Sequence, residues 1–425
     1  MFSILSNYFF SHRLDRAQGG SRRFYLILAL VANFGVLFYY KYFNFFALSL
    51  AGATGLSVPL IANAHLPVGI SFFTFQAVTY IWDIYNRKVE KPIDSISNLV
   101  LYIVLFPKLI AGPIVQYNEI HAQIFSKRRM TIERVRLGLS QFLTGLAKKV
   151  LIANNIAILA DKVYESPDIA DLPPLVVLIG VLAYTLQIYF DFSGYSQMAI
   201  GIGNLLGFDL PQNFDYPYIS RSIKEFWRRW HITLGRWFRD YVYIPLGGNR
   251  GGVRATYRNL LIVFLLTGLW HGASWNFVLW GGLNGLLIVA ESSFLRPLLR
   301  SRIFGHAYLL TATIGLWVLF RANTFEDALI VYRQLLRVPE ILTALPRIPL
   351  YMTNEQILFF LLGVLLSTPL LPALRSWLAR RYPRLGLRLR SPLSVSRQLL
   401  LASLFVLTLA YIIKDTYNPF IYFRF

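Results

Sequence analysis

Apolar stretches of about 20 residues recur along the whole chain, each long enough to cross the hydrocarbon core of a bilayer as a helix. Of 425 residues, 56% are hydrophobic and 15% are charged, where a soluble domain carries about a quarter charged residues. Mean hydropathy is +0.49. The pattern predicts an all-α polytopic membrane protein, with residues 1–425 as a single integral-membrane domain. No internal repeat is visible, which weighs against the commonest transporter architectures.

The formal net charge is +21. Basic residues cluster in short blocks between apolar spans, at 11–23, 127–136, 221–239 and 375–397. Positive loops gathered on the cytoplasmic side explain this better than nucleic-acid binding, which has only the charge in its favour. The chain has no cysteine, so disulfides, thiolate nucleophiles and zinc–cysteine sites are excluded. "MFSILSNYFF" lacks a basic start and a small-residue cleavage site, so no processed signal peptide is expected.

Residues 1–23 read as a short segment and basic linker. A first span over about 24–40 ends in the aromatic boundary "YKYFNFF", and a second covers 67–85. The stretch 99–115 contains Pro107, Lys108, Gly112 and Pro113, which break a helix. Basic loops on both sides of it favour a re-entrant dip over a crossing. Spans follow over about 137–160 and 175–202, around an acidic external loop. Residues 209–258 are basic and aromatic, and read as a cytoplasmic, partly embedded region. Short or tilted spans over 259–270 and 275–294 precede a span at 307–320. Residues 321–354 read as an external segment with an amphipathic helix near "FEDALIVYRQLL". Spans at 355–371 and 398–413 close the pattern, and "YNPFIYFRF" reads as an interfacial anchor.

Among six histidines, His271 stands apart, in the apolar "LLTGLWHGASWNF" between Trp270 and Gly272. His12, His121 and His306 flank polar loops, and no role is assigned to His65. An ionisable group in an apolar helix is costly and needs a partner or a task, and neutral imidazole is the commonest general base near pH 7. His231 lies in "KEFWRRWHITLGRWFRDYVYIPLGGNR", where Trp227, Trp230 and Trp237 alternate with Arg228, Arg229, Arg236 and Arg239. Such a segment can lie in the interface with its arginines reaching the headgroups. It can equally form a cationic mouth for an anionic phosphopantetheine thioester, and the two readings are compatible. "PLGGNRGG" lacks the lysine and context of a phosphate loop. "FSGYS" around Ser193 is not a nucleophile elbow, and Asp191 beside it reads as an internal strut or an arginine's partner. No carboxylate pair suggests glycosidase chemistry, and no spacing suggests a metal site.

"PVGISFFTFQAVTYIWDIY", "LFPKLIAGPIVQYNE", "YFDFSGYSQMAIG", "LPQNFDYPY", "FWRRWHITLGRWFRDYVYIPLGGNR", "GLWHGASWNFVLWGGLNG" and "YNPFIYFRF" together resemble the membrane-bound O-acyltransferase superfamily, in particular its bacterial alginate-acetylating branch. The similarity runs from about Phe24 to Phe425. It implies a ring of tilted transmembrane helices around a funnel, with re-entrant and interfacial helices, in the bacterial inner membrane. It implies that His271 is the catalytic histidine of a Trp-His-Gly motif and that His231 matches a second polar position. The implied reaction moves an acetyl group from acetyl-CoA or an acyl-carrier thioester, with no permanently bound cofactor and no metal. The arginines 228, 229, 236 and 239 would draw in the donor. A periplasmic partner O-acetyltransferase would then load a polysaccharide. Alginate is the first expectation for the acceptor; cellulose, peptidoglycan and D-alanylation of teichoic acid stay open, as does a transporter or scaffold without chemistry. Two departures stand out. Relatives often have His-Gly where this chain has Asn284-Gly285, and asparagine cannot shuttle protons near neutral pH. Relatives also usually begin with further hydrophobic helices before the linker that corresponds to 11–23.

Overall fold

The structure, a computed structural model, describes residues 1–62, 65–382 and 395–414. Every regular element among them is helical. The chain opens with α1 (Phe2–Arg16), so the expected N-terminal segment is a helix. It folds back on α2 (Gly19–Thr54). Asn7 and Asn33, both buried, exchange amide hydrogen bonds of 2.9 Å in each direction, which satisfies polar groups that would otherwise be stranded.

The first span runs past its expected end at residue 40. α2 continues through a π-bulge, Phe38–Tyr42, to Thr54, where Gly55 stops it in a left-handed conformation. The aromatic, lysine-bearing run is not a boundary here because Lys41 and Tyr42 turn inward onto protein. α3 (Ile70–Tyr85) is buried on nearly every side. α4 (Ile96–Val104) leads into the expected broken stretch. A Cβ on Gly112 would lie 2.3 Å from the Pro107 carbonyl oxygen, so the turn admits only glycine. Backbone freed by the break finds side-chain partners, as burial requires: Ile114 N donates to Thr233 Oγ1 at 2.9 Å, and the Tyr102 hydroxyl donates to the Val115 carbonyl at 3.2 Å.

After α5 (Tyr117–Phe125) come two long helices, α6 (Ile132–Tyr164) and α7 (Pro174–Leu205). They cross at glycines: a Cβ on Gly194 would sit 2.8 Å from the Gly145 carbonyl oxygen, and one on Gly201 2.6 Å from that of Gly138. Small residues are what let apolar helices approach this closely. α7 is the spine of the molecule, with 89% of its apolar window buried. Its Asp191 pairs with Lys149 of α6 at 2.5 Å, so the partner is a lysine rather than the expected arginine. A helix-to-helix crossing decides that pairing, and no sequence spacing encodes it.

Short helices α8 (Ile223–Arg229) and α9 (Ile232–Phe238) follow. The helix of the span expected at 259–270 starts earlier: α10 (Gly252–His271) begins at Gly252, whose positive φ of 84° turns the chain out of the glycine-rich loop. Arg254 and Arg258 therefore belong to a helix. α11 (Trp275–Ser292) and α12 (Arg302–Arg321) come next. In the expected external segment, α13 (Phe325–Leu335) starts with a capping box between Thr324 and Asp327. Helical residues Val338–Tyr351 then bend by 118° into α14 (Asn354–Leu366). α15 (Val395–Lys414) stands at the periphery, with 6% of its apolar window buried. Part of the 375–397 basic block and the whole of "YNPFIYFRF" lie outside the described residues. Five described helices have the length and apolarity to cross a membrane, or six if the bent pair is one span; the architecture is that of a polytopic helical membrane protein.

Candidate active site

His271 is the last residue of α10, and after three intervening residues α11 begins. This helical hairpin is tight because its glycines are contacts. A Cβ on Gly268 would lie 2.2 Å from the Phe277 carbonyl oxygen, and one on Gly281 2.3 Å from that of Phe264. A Cβ on Gly272 would fall 2.3 Å from the Phe277 ring. Gly268 and Gly272 thus clamp the two helices together; they do not loosen the chain. The hairpin tip holds the His271 ring among the rings of Trp270, Trp280 and Phe320, with centroids at 4.9, 5.2 and 5.1 Å, all near edge-to-face. His271 is 8% exposed.

His231 comes to the same place from another direction. Its ring lies 6.0 Å from Trp270, so both histidines touch one indole. The residue joins α8 to α9 with φ 44° and ψ 52°, a left-handed backbone that is unusual outside glycine. Asn213, from "LPQNFDYPY", holds this turn. Its Oδ1 accepts from Thr233 N at 3.1 Å and from Thr233 Oγ1 at 2.9 Å, and its Nδ2 donates to Ser196 Oγ at 3.0 Å. Because the Thr233 backbone N–H can only donate, the amide orientation follows. His231 Nδ1, 3.1 Å from the same Oδ1, is then the protonated nitrogen. Its Nε2 carries a lone pair, is buried and meets no hydrogen-bond partner among the described residues.

Two cavities approach from opposite ends of α10. The larger, about 970 Å³, runs along α10 from Gly252 to Thr267. Thr267 precedes His271 by about 6 Å of helix rise. Arg228, Arg236 and Arg239 line this cavity with Lys224, Tyr243, Asn249 and Tyr257, over an apolar wall that includes Val263 and Phe264. Arg229 does not line it: it pairs with Asp215 at 3.1 Å and Glu225 at 3.2 Å. Arg236 pairs with Glu119 at 2.7 Å and Arg239 with Asp240 at 2.7 Å. Burial alone would raise the Asp240 carboxyl, but hydrogen bonds from Arg239 and Gln116 and the charges of Arg239 and Lys88 hold it below the usual carboxylate value. The basic helix α8 is itself anchored by Glu291, which accepts from Ile223 N at 2.5 Å and Lys224 N at 3.0 Å, a carboxylate at a helix N-terminus.

The smaller cavity, about 230 Å³, touches His271 directly and is lined by Trp270, Lys41, Ser71 and residues 66–70 among others. Asn284, at the position of the His-Gly departure, accepts from Trp227 Nε1 at 3.0 Å and donates to the Trp280 carbonyl at 2.9 Å. It therefore holds an indole of the larger cavity. Sequence reasoning missed Lys41, Ser71, Lys224 and Asn213. The cost argument applied to His271 applies equally to Lys41, a cation deep in the apolar run of a long helix; the other three carry no such signal.

Residues 21–309 match the model of the MBOAT, membrane-bound O-acyltransferase family. The chain is 40% identical over 336 residues to the probable alginate O-acetylase AlgI of Pseudomonas aeruginosa, covering 77% of this chain and 63% of that protein. It is 38% identical over 372 residues to a peptidoglycan O-acetyltransferase of Helicobacter pylori, covering 78% of this chain and 68% of that one. A teichoic acid D-alanyltransferase of Bacillus subtilis is 27% identical over 237 residues, covering 53% and 59%. The chain thus spans about three fifths of the length of the alginate O-acetylases it matches.

Proposed function

The chain belongs to the membrane-bound O-acyltransferase family, and on that premise we propose that it moves an acetyl group from a cytoplasmic thioester to the outer face of the bacterial inner membrane, for O-acetylation of an exopolysaccharide. The observation that carries this reading is the placement of His271 in the wall of the smaller cavity, about one helical turn beyond Thr267 in the lining of the larger, basic one. Lys224, Arg228, Arg236 and Arg239 draw in the phosphates of acetyl-CoA or of a carrier-bound phosphopantetheine. The apolar wall takes the pantetheine arm, and the thioester carbon reaches His271. An acceptor hydroxyl enters by the narrow cavity. His271 takes its proton as general base, the acceptor oxygen bonds to the acetyl carbon, the C–S bond breaks and the thiol leaves with a proton. In the tautomer that Asn213 imposes, His231 Nε2 accepts a hydrogen bond, which suits an amide N–H of the donor arm better than an oxyanion.

The acceptor hydroxyl belongs to a periplasmic partner O-acetyltransferase, which passes the acetyl group to the polymer. Alginate is the favoured polymer because the alginate O-acetylases match at about 40% identity. The test is polymer O-acetyl content in a deletion strain carrying wild type or His271→Ala, with membrane levels matched by blot. Loss of a general base costs about 100- to 10,000-fold, so the variant should be present and yield no acetyl ester. Normal acetylation in that strain would overturn the reading and leave transport without chemistry.

A further inference from the structure

A helix that ends at its reactive residue leaves its last carbonyls without partners inside the helix, and an apolar site has no bulk water to serve them. α10 ends this way at His271. The missing donors come from α2. The Tyr42 hydroxyl donates to the Leu269 carbonyl at 3.1 Å. Lys41 Nζ donates to the Trp270 carbonyl at 2.5 Å and the His271 carbonyl at 3.3 Å, and lies 3.4 Å from Ser71 Oγ. Consecutive carbonyls at the end of α10 are thus capped by consecutive side chains of another helix. Both caps sit in the π-bulge Phe38–Tyr42, whose wider turn brings neighbouring side chains nearer to one face than an α-turn does. An ammonium in a long apolar helix is expensive. It becomes favourable against the negative end of a helix dipole.

We propose that Lys41 and Tyr42 are positioning residues for His271: they fasten the end of α10 so that the imidazole stays fixed at the wall of the smaller cavity. The inference rests on His271 as the reactive group. Lys41 holds the two peptide groups that flank the His271 Cα, so its loss frees the ring to shift, and a displacement of about 1 Å can cost about 100-fold in rate.

The experiment uses the full chain, purified into nanodiscs, with acetyl-CoA as the donor probe and thioester loss to an acceptor hydroxyl as the signal. Lys41→Met should lower kcat by about 100-fold with the donor KM unchanged. Lys41→Arg, which keeps charge and donors, should recover a large part of kcat, and Tyr42→Phe should show a smaller loss of the same kind. Tyr332→Phe is the control; it removes a comparable bond, to the Gly315 carbonyl of α12 (2.8 Å), that does not cap the end of α10, and should leave kcat alone. Unchanged kcat in Lys41→Met, no rescue by Lys41→Arg, or an equal loss in Tyr332→Phe would each overturn the inference. An activity-free measurement separates it from the functional reading: modification of His271 by diethyl pyrocarbonate, read by mass spectrometry. It should be faster in Lys41→Met than in wild type and unchanged in Tyr332→Phe. If wild type consumes no thioester, the functional reading fails, and this labelling alone decides the anchoring; equal labelling of wild type and Lys41→Met overturns it.

Discussion

The two cavities around His271 are built differently. The larger, about 970 Å³, is walled by side chains of α8 to α11, with long cationic side chains at its mouth. The smaller, about 230 Å³, is lined by residues 66–72 together with Ile110, Trp270, His271 and Lys41. Its wall is stiff: Gly69 has φ 74°, and a Cβ there would meet the Leu109 carbonyl oxygen at 2.4 Å. A space bounded by flexible arginines and lysines can adapt to a long, flexible anion. A space bounded by locked backbone selects by size. On the proposed reading, the contrast gives the donor side a means to attract and the acceptor side a means to exclude.

The sharpest way to break that contrast is to fill the smaller space. Ser71→Leu should lower acetyl transfer about 100-fold, the order of effect that misplacing a reactant produces, while donor binding stays at the wild-type level. Isothermal titration with a non-hydrolysable acetyl-CoA analogue, run beside the transfer assay, separates the two. Weakened donor binding in Ser71→Leu would mean that the cavities are not separate in function. An intermediate effect is expected on the basic side. Lys224→Gln with Arg228→Gln should raise the donor KM about tenfold at low salt, with the difference fading as screening grows. A kcat effect that is insensitive to salt would show that these groups serve the chemistry and not the attraction. The smallest effect belongs to Asn284→His. An imidazole can also accept the Trp227 indole N–H, so the acetylation rate should stay within about threefold of wild type, given that one hydrogen bond is worth about 1 kcal/mol. A larger gain would point to a proton-transfer role at this position.

Parts of this arrangement are legible without a structure. Pro107 and Gly112 announce a broken helix, since neither the missing N–H nor the tight turn depends on distant residues. The cost of an imidazole in an apolar run singles out His271 whatever packs around it. Arg228, Arg236 and Arg239 line one cavity, whereas Arg229, grouped with them from the sequence, faces Asp215 and Glu225, a choice made by the geometry of the short helix α8. Lys41 was hidden inside an aromatic run that looks like a membrane boundary; only the approach of α10 makes it a cap.

Hydropathy, composition and helix-breaking residues are local properties, and from them alone the chain is determined to be a helical membrane protein with a costly histidine near its centre. Partner choice is not local. The pairing of Asp191 with Lys149, the hold of Asn213 on the left-handed His231, the glycine clamp between α10 and α11, and the cap that α2 places on α10 each join residues far apart in the chain. Burial drives most polar groups in such a core to find a partner, but which one each finds depends on how the helices cross.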